Sequence, residues 1–409
     1  MDMKRTVKSA MHQLRIDKLR KLQTKPINSI LSGQDTFVLA PTSSGKSAIY
    51  DIPALLCMDK PTIVLEPTLA LMHDQVRHLN ACNVSAAYID SSLSGAKQDS
   101  ISSQFCKGKI HILFVTPERF VSKRFSNTLR KVPLYMVVVD EAHCVLDWGY
   151  SFRSSYLAVG ETIRSLKHRP IVSAFTATAS PDDIKQICRL LHMQQPAVYQ
   201  SSLYRKNLTF LKKHTDDRKQ KRHLLRKYLR KYHHHASIIY CNTRKAVDAV
   251  YDFLKTQYPD DVVKCHAEMS PQKRAAHELQ FLRSEKTIMV ATSAFGMGVD
   301  LDTVDLIIHF NMPLSITDYM QQSGRGGRSG QKARCILLYD DEDYYTNLVI
   351  LSSSFSGSSP ERALRRLDAM KEYCDDRSQC LAALLLQTFE QVPAHRCNHC
   401  TNCQRARRK

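Results

Sequence analysis

The chain has 409 residues, 43% of them hydrophobic, so it is long enough for two packed domains and a smaller third unit. Lysine and arginine outnumber aspartate and glutamate by 59 to 39, and the net charge of +20 favours a polyanionic partner, nucleic acid above all. No apolar run approaches the length of a bilayer span, and the first residues lack the apolar core of a secretory signal. The composition therefore predicts an intracellular protein without membrane association.

In the first half of the chain, short β-branched runs alternate with longer helical patterns. This alternation predicts buried strands in a mostly parallel sheet with helices on both faces. The predicted strands are 36–39, 62–65, 110–115, 136–139 and 171–175.

The same pattern repeats after a polar, strongly basic interval at 212–235. Apolar residues at helical spacing within that interval predict a surface helix that opens a second domain. The strands predicted beyond it are 237–240, 287–291, 305–310 and 335–339. From about residue 345, a serine-rich segment leads into helical patterns without a strand. The predicted domains are 1–204, 205–345 and 346–409.

The first predicted strand runs into a phosphate-loop pattern. In such a loop, amides and a helix N-terminus cradle phosphates, a lysine reaches the terminal phosphates, and a hydroxyl holds Mg²⁺. Ala40 stands where the general pattern has glycine, but the strand, loop and helix follow in the required order. The predicted nucleotide-binding residues are Thr42, Ser43, Ser44, Gly45, Lys46 and Ser47, with Ser47 as a magnesium ligand.

A pair of carboxylates ends the apolar run at 136–139. Asp140 is predicted to bind Mg²⁺ through water, and Glu141 to polarise the attacking water. An acidic pair at the end of a strand is often only a helix cap. Together with a phosphate loop about a hundred residues upstream, it points to a nucleoside triphosphatase that uses ATP and Mg²⁺.

Four cysteines near the end of the chain have the spacing of a metal site: Cys380, Cys397, Cys400 and Cys403. Two successive two-residue gaps allow thiolates to converge tetrahedrally on Zn²⁺, and four protein ligands make such a site structural. His395 and His399 are alternative ligands, and a redox pair is the alternative for a single Cys-x-x-Cys. Most of the 13 cysteines are scattered singly, which predicts reduced thiols rather than disulfides.

The motifs together resemble those of superfamily 2 helicases, and more narrowly the RecQ family of DNA helicases. The resemblance is carried by the Asp-Glu-Ala-His sequence at 140–143, the residues that follow it, and the segments 175–179, 290–300 and 321–328. It implies two RecA-like domains, a small helical zinc-binding subdomain, and movement from 3′ to 5′ along single-stranded DNA. RecQ proteins often continue into a winged helix, whereas this chain ends six residues after Cys403, so weak unwinding is expected.

The resemblance also assigns residues of the ATP site. Arg20 and Gln23 match the motif that reads adenine, although Ile16 stands where an aromatic residue usually stacks on the base. Gln321, Arg325 and Arg328 match the motif that completes the catalytic site from the second domain.

Two further groups of residues are expected to contact single-stranded or forked DNA. Trp148, Phe152 and Arg153 match an aromatic-rich loop, in which tryptophan offers a stacking surface for any base. The residues Asn242, Thr243, Arg244 and His266 match segments that hold DNA phosphates, a contact without sequence preference. Glu268 stands where the family commonly has glycine.

Two other functions are compatible with these motifs. An RNA-directed helicase shares the ATPase motifs, but the tryptophan loop and the cysteine cluster favour DNA. The second alternative is a zinc-bearing DNA-binding adaptor with weak ATPase activity. Ser329 favours this alternative, because the family often has aspartate at that position. The charge and the many cysteines suggest a nuclear location.

Overall fold

A computed structural model gives the structure of the chain and describes residues 6–41, 44–130, 132–147, 154–233, 235–293, 295, 304–354, 360–391, 393 and 395–407. The chain forms two compact units, Met1–Ser202 and Leu203–Lys409. No helix within the described ranges combines the length and the apolar character that a membrane span requires. None of the cysteines, all of which lie within these ranges, forms a disulfide.

The first unit contains a parallel sheet. Its strands are β1 (Thr36–Leu39), β2 (Thr62–Leu65), β3 (Ala86–Ile89), β4 (Ile112–Val115), β5 (Met136–Val139), β6 (Ile171–Thr176) and β7 (Ala197–Gln200). Among the described residues the strand order is β3-β4-β2-β5-β6-β1-β7, so β1 and β5 both lie next to β6. Because parallel strands end at one edge, the loops that follow these strands are neighbours.

Helices connect the strands of this sheet. They are α1 (Val7–Gln13), α2 (Thr24–Leu31), α3 (Ser47–Leu56), α4 (Leu69–Ala81), α5 (Gly95–Cys106), α6 (Pro117–Val121), α7 (Lys123–Leu129), α8 (Cys144–Asp147), α9 (Ser154–Arg164) and α10 (Pro181–Leu190). Local sequence explains several starts: Thr116 caps α6 with Pro117 at its first position, and Ser180 forms a capping box with Asp183 in α10. Apolar residues of α2, α3 and α4 pack on the sheet in one core.

The second unit repeats this plan. Its strands are β8 (Leu208–His214), β9 (Ser237–Tyr240), β10 (Val262–Cys265), β11 (Ile288–Ala291), β12 (Leu306–His309) and β13 (Ala333–Tyr339). In the described part they pair in parallel in the order β10-β11-β9-β12-β13-β8. The helices are α11 (Arg218–Tyr232), α12 (Arg244–Lys255), α13 (Pro271–Arg283), α14 (Ile316–Ser323), α15 (Asp341–Ser354), α16 (Pro360–Asp375), α17 (Leu381–Gln387) and α18 (Thr401–Ala406).

The structure corrects part of the strand prediction. All nine predicted strands are present, with ends shifted by up to two residues, but β3, β7, β8 and β10 were not predicted. Strand β8 lies partly inside the polar, strongly basic interval at 212–235, and the predicted surface helix follows it as α11.

A buried lysine joins the cysteine-bearing segment to the second sheet. Lys212 of β8 donates from Nζ to the carbonyl oxygens of Tyr373, Cys374 and Asp376 at the end of α16, at 2.5, 3.0 and 2.5 Å. Its backbone N–H donates to Thr401 Oγ1 at 2.9 Å. Burial lowers the pKa of Lys212 to about 8. The Lys212 side chain therefore donates hydrogen bonds to carbonyl groups at the end of α16 that would otherwise lack donors.

Candidate functional site

The phosphate loop lies between β1 and α3, as the motif requires. Gly45 has φ of +77°, a left-handed conformation that glycine adopts without strain. Lys46 Nζ lies 3.4 Å from the carbonyl oxygen of Ala40, so in this structure the ammonium folds back onto the loop. Ser44 and Ser47 are half-buried beside it. The predicted residues Thr42 and Ser43 lie outside the described residues.

Gln23 connects the predicted adenine motif to this loop. It is 4% exposed, accepts a hydrogen bond at Oε1 from the Arg20 N–H at 2.6 Å, and donates from Nε2 to the Gly45 carbonyl oxygen at 2.8 Å. A Cβ atom at Gly45 would lie 2.6 Å from Gln23 Nε2, so the close approach also requires glycine. Arg20 itself is exposed.

The acidic pair lies at the end of β5, at the same edge of the sheet as the phosphate loop. Asp140 is buried and its Oδ1 accepts the Glu141 N–H at 2.8 Å, while Glu141 has φ of +47°. Burial and the neighbouring Glu141 raise the pKa of Asp140 to about 6, and the charge of Lys46 opposes this rise. The carboxylate is thus placed where a cation would stabilise its charged form.

Two more carboxylates, which no motif reveals, are buried beside Asp140. Glu66 follows β2, the strand next to β5, and its Oε1 accepts hydrogen bonds from the Thr68 N–H at 3.1 Å and Oγ1 at 2.9 Å. Asp51 lies in α3, and its buried Oδ1 has no hydrogen-bond partner among the described residues. Burial, reinforced by Asp140, raises the pKa of both groups. This excess of oxygen ligands fits a hard cation such as Mg²⁺, with Ser47 and Asp140 as its predicted ligands.

His143 links the acidic pair to the end of β6. Its Nδ1 lies 3.0 Å from Thr176 Oγ1 and 3.3 Å from Glu141 Oε2. The Ala142 N–H donates to the Phe175 carbonyl oxygen at 2.8 Å, which holds the same two segments together. These contacts connect Glu141 to the end of β6. Trp148, Phe152 and Arg153 lie outside the described residues.

In the second unit, Gln321 lies in α14 and the two predicted arginines lie in the loop after it. Arg325 is buried and Arg328 is half-buried. Two residues that sequence reasoning missed shape this loop. Arg205 donates to the carbonyl oxygens of Gly324, at 2.7 Å, and Gly327, and Asn207 donates to the carbonyl oxygens of Gly327 and Gln331 at 2.9 and 2.7 Å.

The predicted phosphate-binding residues differ in their contacts within the second unit. Asn242 donates both amide hydrogens within the unit, to the Met312 carbonyl oxygen at 2.5 Å and to Asn347 Oδ1 at 2.6 Å. Thr243 caps α12, where its Oγ1 accepts the Ala246 N–H. Arg244 is exposed at the start of that helix. The fourth residue, His266, is buried next to Asp248, with 3.3 Å between Nε2 and Oδ1.

The four predicted cysteine ligands come together. The sulfur atoms of Cys380, Cys397, Cys400 and Cys403 all lie within 4.8 Å of one another. Backbone N–H groups point at two of these sulfurs: Leu381 and Cys403 donate to Cys400, and Cys397 donates to Cys380, at 3.3 to 3.5 Å. His399 is directed away, with Nδ1 3.4 Å from Thr209 Oγ1. Four sulfurs at this spacing fit a structural Zn²⁺.

Three protein families match successive parts of the chain. Residues 20–187 match the DEAD/DEAH box helicases, residues 220–330 the helicase conserved C-terminal domain, and residues 342–404 the RecQ zinc-binding family. The chain belongs to the RecQ family. The ATP-dependent DNA helicase RecQ of Bacillus subtilis is 33% identical over 96% of this chain, which spans 66% of the length of that relative.

Two other proteins are similar to most of the chain. A protein of Acanthamoeba polyphaga mimivirus, provisionally named ATP-dependent RNA helicase R290, is 30% identical over 95% of this chain and 70% of its own length. The crystal structure of the DUF1998 helicase MrfA bound to DNA has a TM-score of 0.69, with 18% identity, over 93% of this chain and 57% of that one. This likeness confirms the predicted fold of two parallel-sheet domains.

Proposed function

We propose that this RecQ chain is an ATP-dependent DNA helicase and translocase that moves 3′ to 5′ on single-stranded DNA and unwinds duplex DNA. The observation that carries the proposal is the joint position of the phosphate loop and of Asp140 and Glu141 at one edge of the first sheet. The relatives that match most of the chain and bear the RecQ name support DNA as the partner.

In this proposal the residues of the first unit bind and orient the nucleotide. The loop amides and Lys46 hold the phosphates, Arg20 and Gln23 hold the base, and Ser47 and Asp140 hold Mg²⁺, which neutralises phosphate charge when bound. Glu141 orients the attacking water and accepts its proton. Gln321, Arg325 and Arg328 are assigned by family resemblance to the phosphates as well, where arginine stabilises the developing negative charge.

Hydrolysis is proposed to be coupled to the strand through the segment that follows Glu141. Trp148, Phe152 and Arg153 come a few residues later and are assigned to stacking and phosphate contacts. The His143 contact with Thr176 gives a second connection to the nucleotide site. The exposed Arg244 supplies a phosphate contact in the second unit, and Zn²⁺ bound by the four cysteines stabilises the end of the chain.

Strand displacement tests the proposal most directly. The substrates are 3′-tailed, 5′-tailed and forked duplexes, with and without ATP, and Lys46→Ala serves as the inactive control. The proposal expects ATP-dependent displacement of the 3′-tailed and forked duplexes. Displacement of the 5′-tailed duplex alone contradicts the polarity, and no ATP-dependent displacement with any substrate contradicts the helicase function.

An RNA-directed helicase is the second candidate, and the mimivirus relative is the observation that favours it. The rate of ATP hydrolysis with single-stranded DNA, compared with RNA of the same sequence and length, separates the two. A greater stimulation by RNA selects the second candidate. The nuclear location stays a prediction, which fluorescence microscopy of a tagged protein checks.

A further inference from the structure

Helix α11 carries four arginines at regular spacing. Arg218, Arg222 and Arg226 recur every fourth residue, and Arg230 follows at the same spacing. Because a helix rises 1.5 Å per residue, successive arginines lie about 6 Å apart along its axis. Within the described part of the chain, none of these four arginines forms an ion pair with a carboxylate. Leu225 and Leu229 are buried in the core and lie seven residues after Arg218 and Arg222, so the row of arginines borders the buried face of the helix.

The arginines face α12 across a groove, which we call the α11–α12 groove. The guanidinium carbons of Arg222 and Arg226 lie 5.3 and 5.1 Å from the centre of the Phe253 ring in α12. This stacking orients two guanidinium groups before any ligand binds. The buried Nε–H of Arg226 has no acceptor among the described residues. An anionic ligand in the groove would supply one.

The head of the groove is a cavity of about 260 Å³. Arg218 and Arg222 line it from α11, and Asn242, Thr243 and Lys245 line it from the start of α12. The cavity is therefore continuous with the segment 242–244, where the proposed function places a phosphate contact. The N-terminus of α12, a helix of 12 residues, adds partial positive charge on that side.

The cavity also contains carboxylates, so its charge balance decides what it can bind. Asp340 and Asp343 both lie against the buried Lys221, with Nζ to Oδ2 distances of 2.6 and 3.0 Å. Burial raises the pKa of Asp343. The Asp343 carboxylate also accepts hydrogen bonds from the Asn311 side chain and from the Met312 N–H. Over the whole lining, the four cations exceed the three carboxylates by one charge, and Arg226 and Arg230 add positive charge beyond the cavity. The groove is therefore a site for anions.

We propose that the α11–α12 groove binds the sugar-phosphate backbone of the nucleic-acid strand and extends the strand path beyond Arg244. The inference rests on the proposed function, because that function places a strand at the start of α12. A row of guanidinium groups with regular spacing suits a polymer with regularly spaced phosphates, and each can bind a phosphate through two parallel hydrogen bonds. Such contacts add affinity without sequence preference.

The test is the salt dependence of binding to a fluorescent single-stranded oligonucleotide. In Arg218→Gln/Arg222→Gln, the loss of two phosphate contacts is expected to lower the slope of log Kobs against log salt by about 1.4. With affinity at 1 M salt unchanged, binding at 0.1 M salt weakens roughly 25-fold. Arg218→Lys/Arg222→Lys keeps the charges and should retain most of the slope. Both arginines are exposed, so a melting curve suffices to check folding.

A matched control removes two exposed charges from the opposite edge of the same sheet. Arg283 and Lys286 precede β11, whereas the groove begins beyond the carboxyl end of β9. Arg283→Gln/Lys286→Gln should keep the wild-type slope. Equal slopes for the wild type and for Arg218→Gln/Arg222→Gln overturn the groove proposal, as does an equal loss in the control. Failure of DNA to stimulate ATP hydrolysis by the wild-type protein instead contradicts the proposed function.

Discussion

Glu268 forms an ion pair with Arg244, the exposed cation at the start of α12. Both side chains are more than half exposed, at 60% and 53%. Glu268 is also the residue that stands where the RecQ family commonly has glycine. In this chain, a carboxylate is therefore paired with the guanidinium group that, in the proposed function, binds a DNA phosphate.

Removing the charge of Glu268 should strengthen DNA binding. In Glu268→Gln the phosphate no longer has to displace a carboxylate. An exposed pair contributes up to about 1 kcal/mol, so the affinity for single-stranded DNA should rise by roughly two- to fivefold at low salt. Fluorescence anisotropy measures this, with Glu285→Gln as a control that removes an exposed carboxylate near the opposite edge of the sheet. Equal gains in the two variants would show only a general effect of net charge.

Loss of Lys46 or Glu141 should abolish ATP hydrolysis. Lys46→Ala removes the cation from the phosphate loop, and Glu141→Gln keeps the shape of the side chain but removes the base. We expect the rate with saturating DNA to fall at least about 100-fold in each variant. A phosphate-release assay measures it, and Lys60→Ala, an exposed lysine beyond α3, should match the wild type. Near-normal hydrolysis in either site variant would refute the assignment of this site.

Trp148→Ala should reduce the coupling between DNA and hydrolysis. Base stacking on an aromatic ring contributes about 1 to 3 kcal/mol, so the variant should need higher DNA concentrations and reach a lower ratio of stimulated to unstimulated rate. The ratio is measured as a function of oligonucleotide concentration. Trp148→Phe keeps an aromatic face and should recover part of the ratio. Wild-type stimulation in Trp148→Ala would remove this residue from the coupling.

Cys400→Ser should release zinc and destabilise the second unit. The Cys400 thiol is enclosed, and the N–H groups of Leu381 and Cys403 point at its sulfur. A structural zinc site contributes folding free energy directly, so we expect a lower melting temperature and less than one zinc per chain by metal analysis. Cys374→Ser changes a buried thiol that is not among the four, and it should keep its zinc. Full zinc occupancy in Cys400→Ser would contradict the assigned ligand set.

Lys212→Met should destabilise the attachment of α16, and the effect should depend on pH. The carbonyl groups left without a donor cost roughly 1 to 3 kcal/mol. Since the folded pKa of Lys212 is about 8, below the usual 10.5, the unfolded chain binds more protons between these values. The wild-type free energy of unfolding therefore gains a contribution as pH rises from 8 to 10.5, and the variant lacks it. Urea unfolding of the wild type and of Lys212→Met at pH 8 and pH 10 measures the free energy of unfolding of each protein. If the free energies of the two proteins differ by the same amount at both pH values, the proposed role of the lysine is contradicted.

The strands that sequence patterns missed are the two outer strands of each sheet. Strands β3 and β7 end the first sheet, and β10 and β8 end the second. An outer strand is covered on fewer sides, so β7 alternates between half-buried and exposed residues, β8 alternates largely between buried and half-buried ones, and neither has a continuous apolar run. The inner strands are buried except for one half-buried residue each in β6 and β13, and their continuous apolar runs made them predictable.

The candidate site shows a similar division. The phosphate loop and Asp140–Glu141 follow buried strands within recognisable motifs, so sequence alone could locate them. Glu66 and Asp51 are single acidic residues whose proximity to Asp140 depends on the strand order, which no local pattern contains. Arg205 and Asn207 likewise reach the loop at 324–331 only through the fold.

In the proposed function, the hydrogen bonds of Gln23 couple recognition of the base to recognition of the phosphates. One amide group joins the backbone of Arg20 to that of Gly45, so a base that engages this amide also changes the free energy of the loop conformation. Such a coupling is reciprocal, and occupation of the phosphate loop alters the affinity for the base by the same factor. The preference for adenine over other bases should therefore differ between nucleoside triphosphates and nucleoside diphosphates.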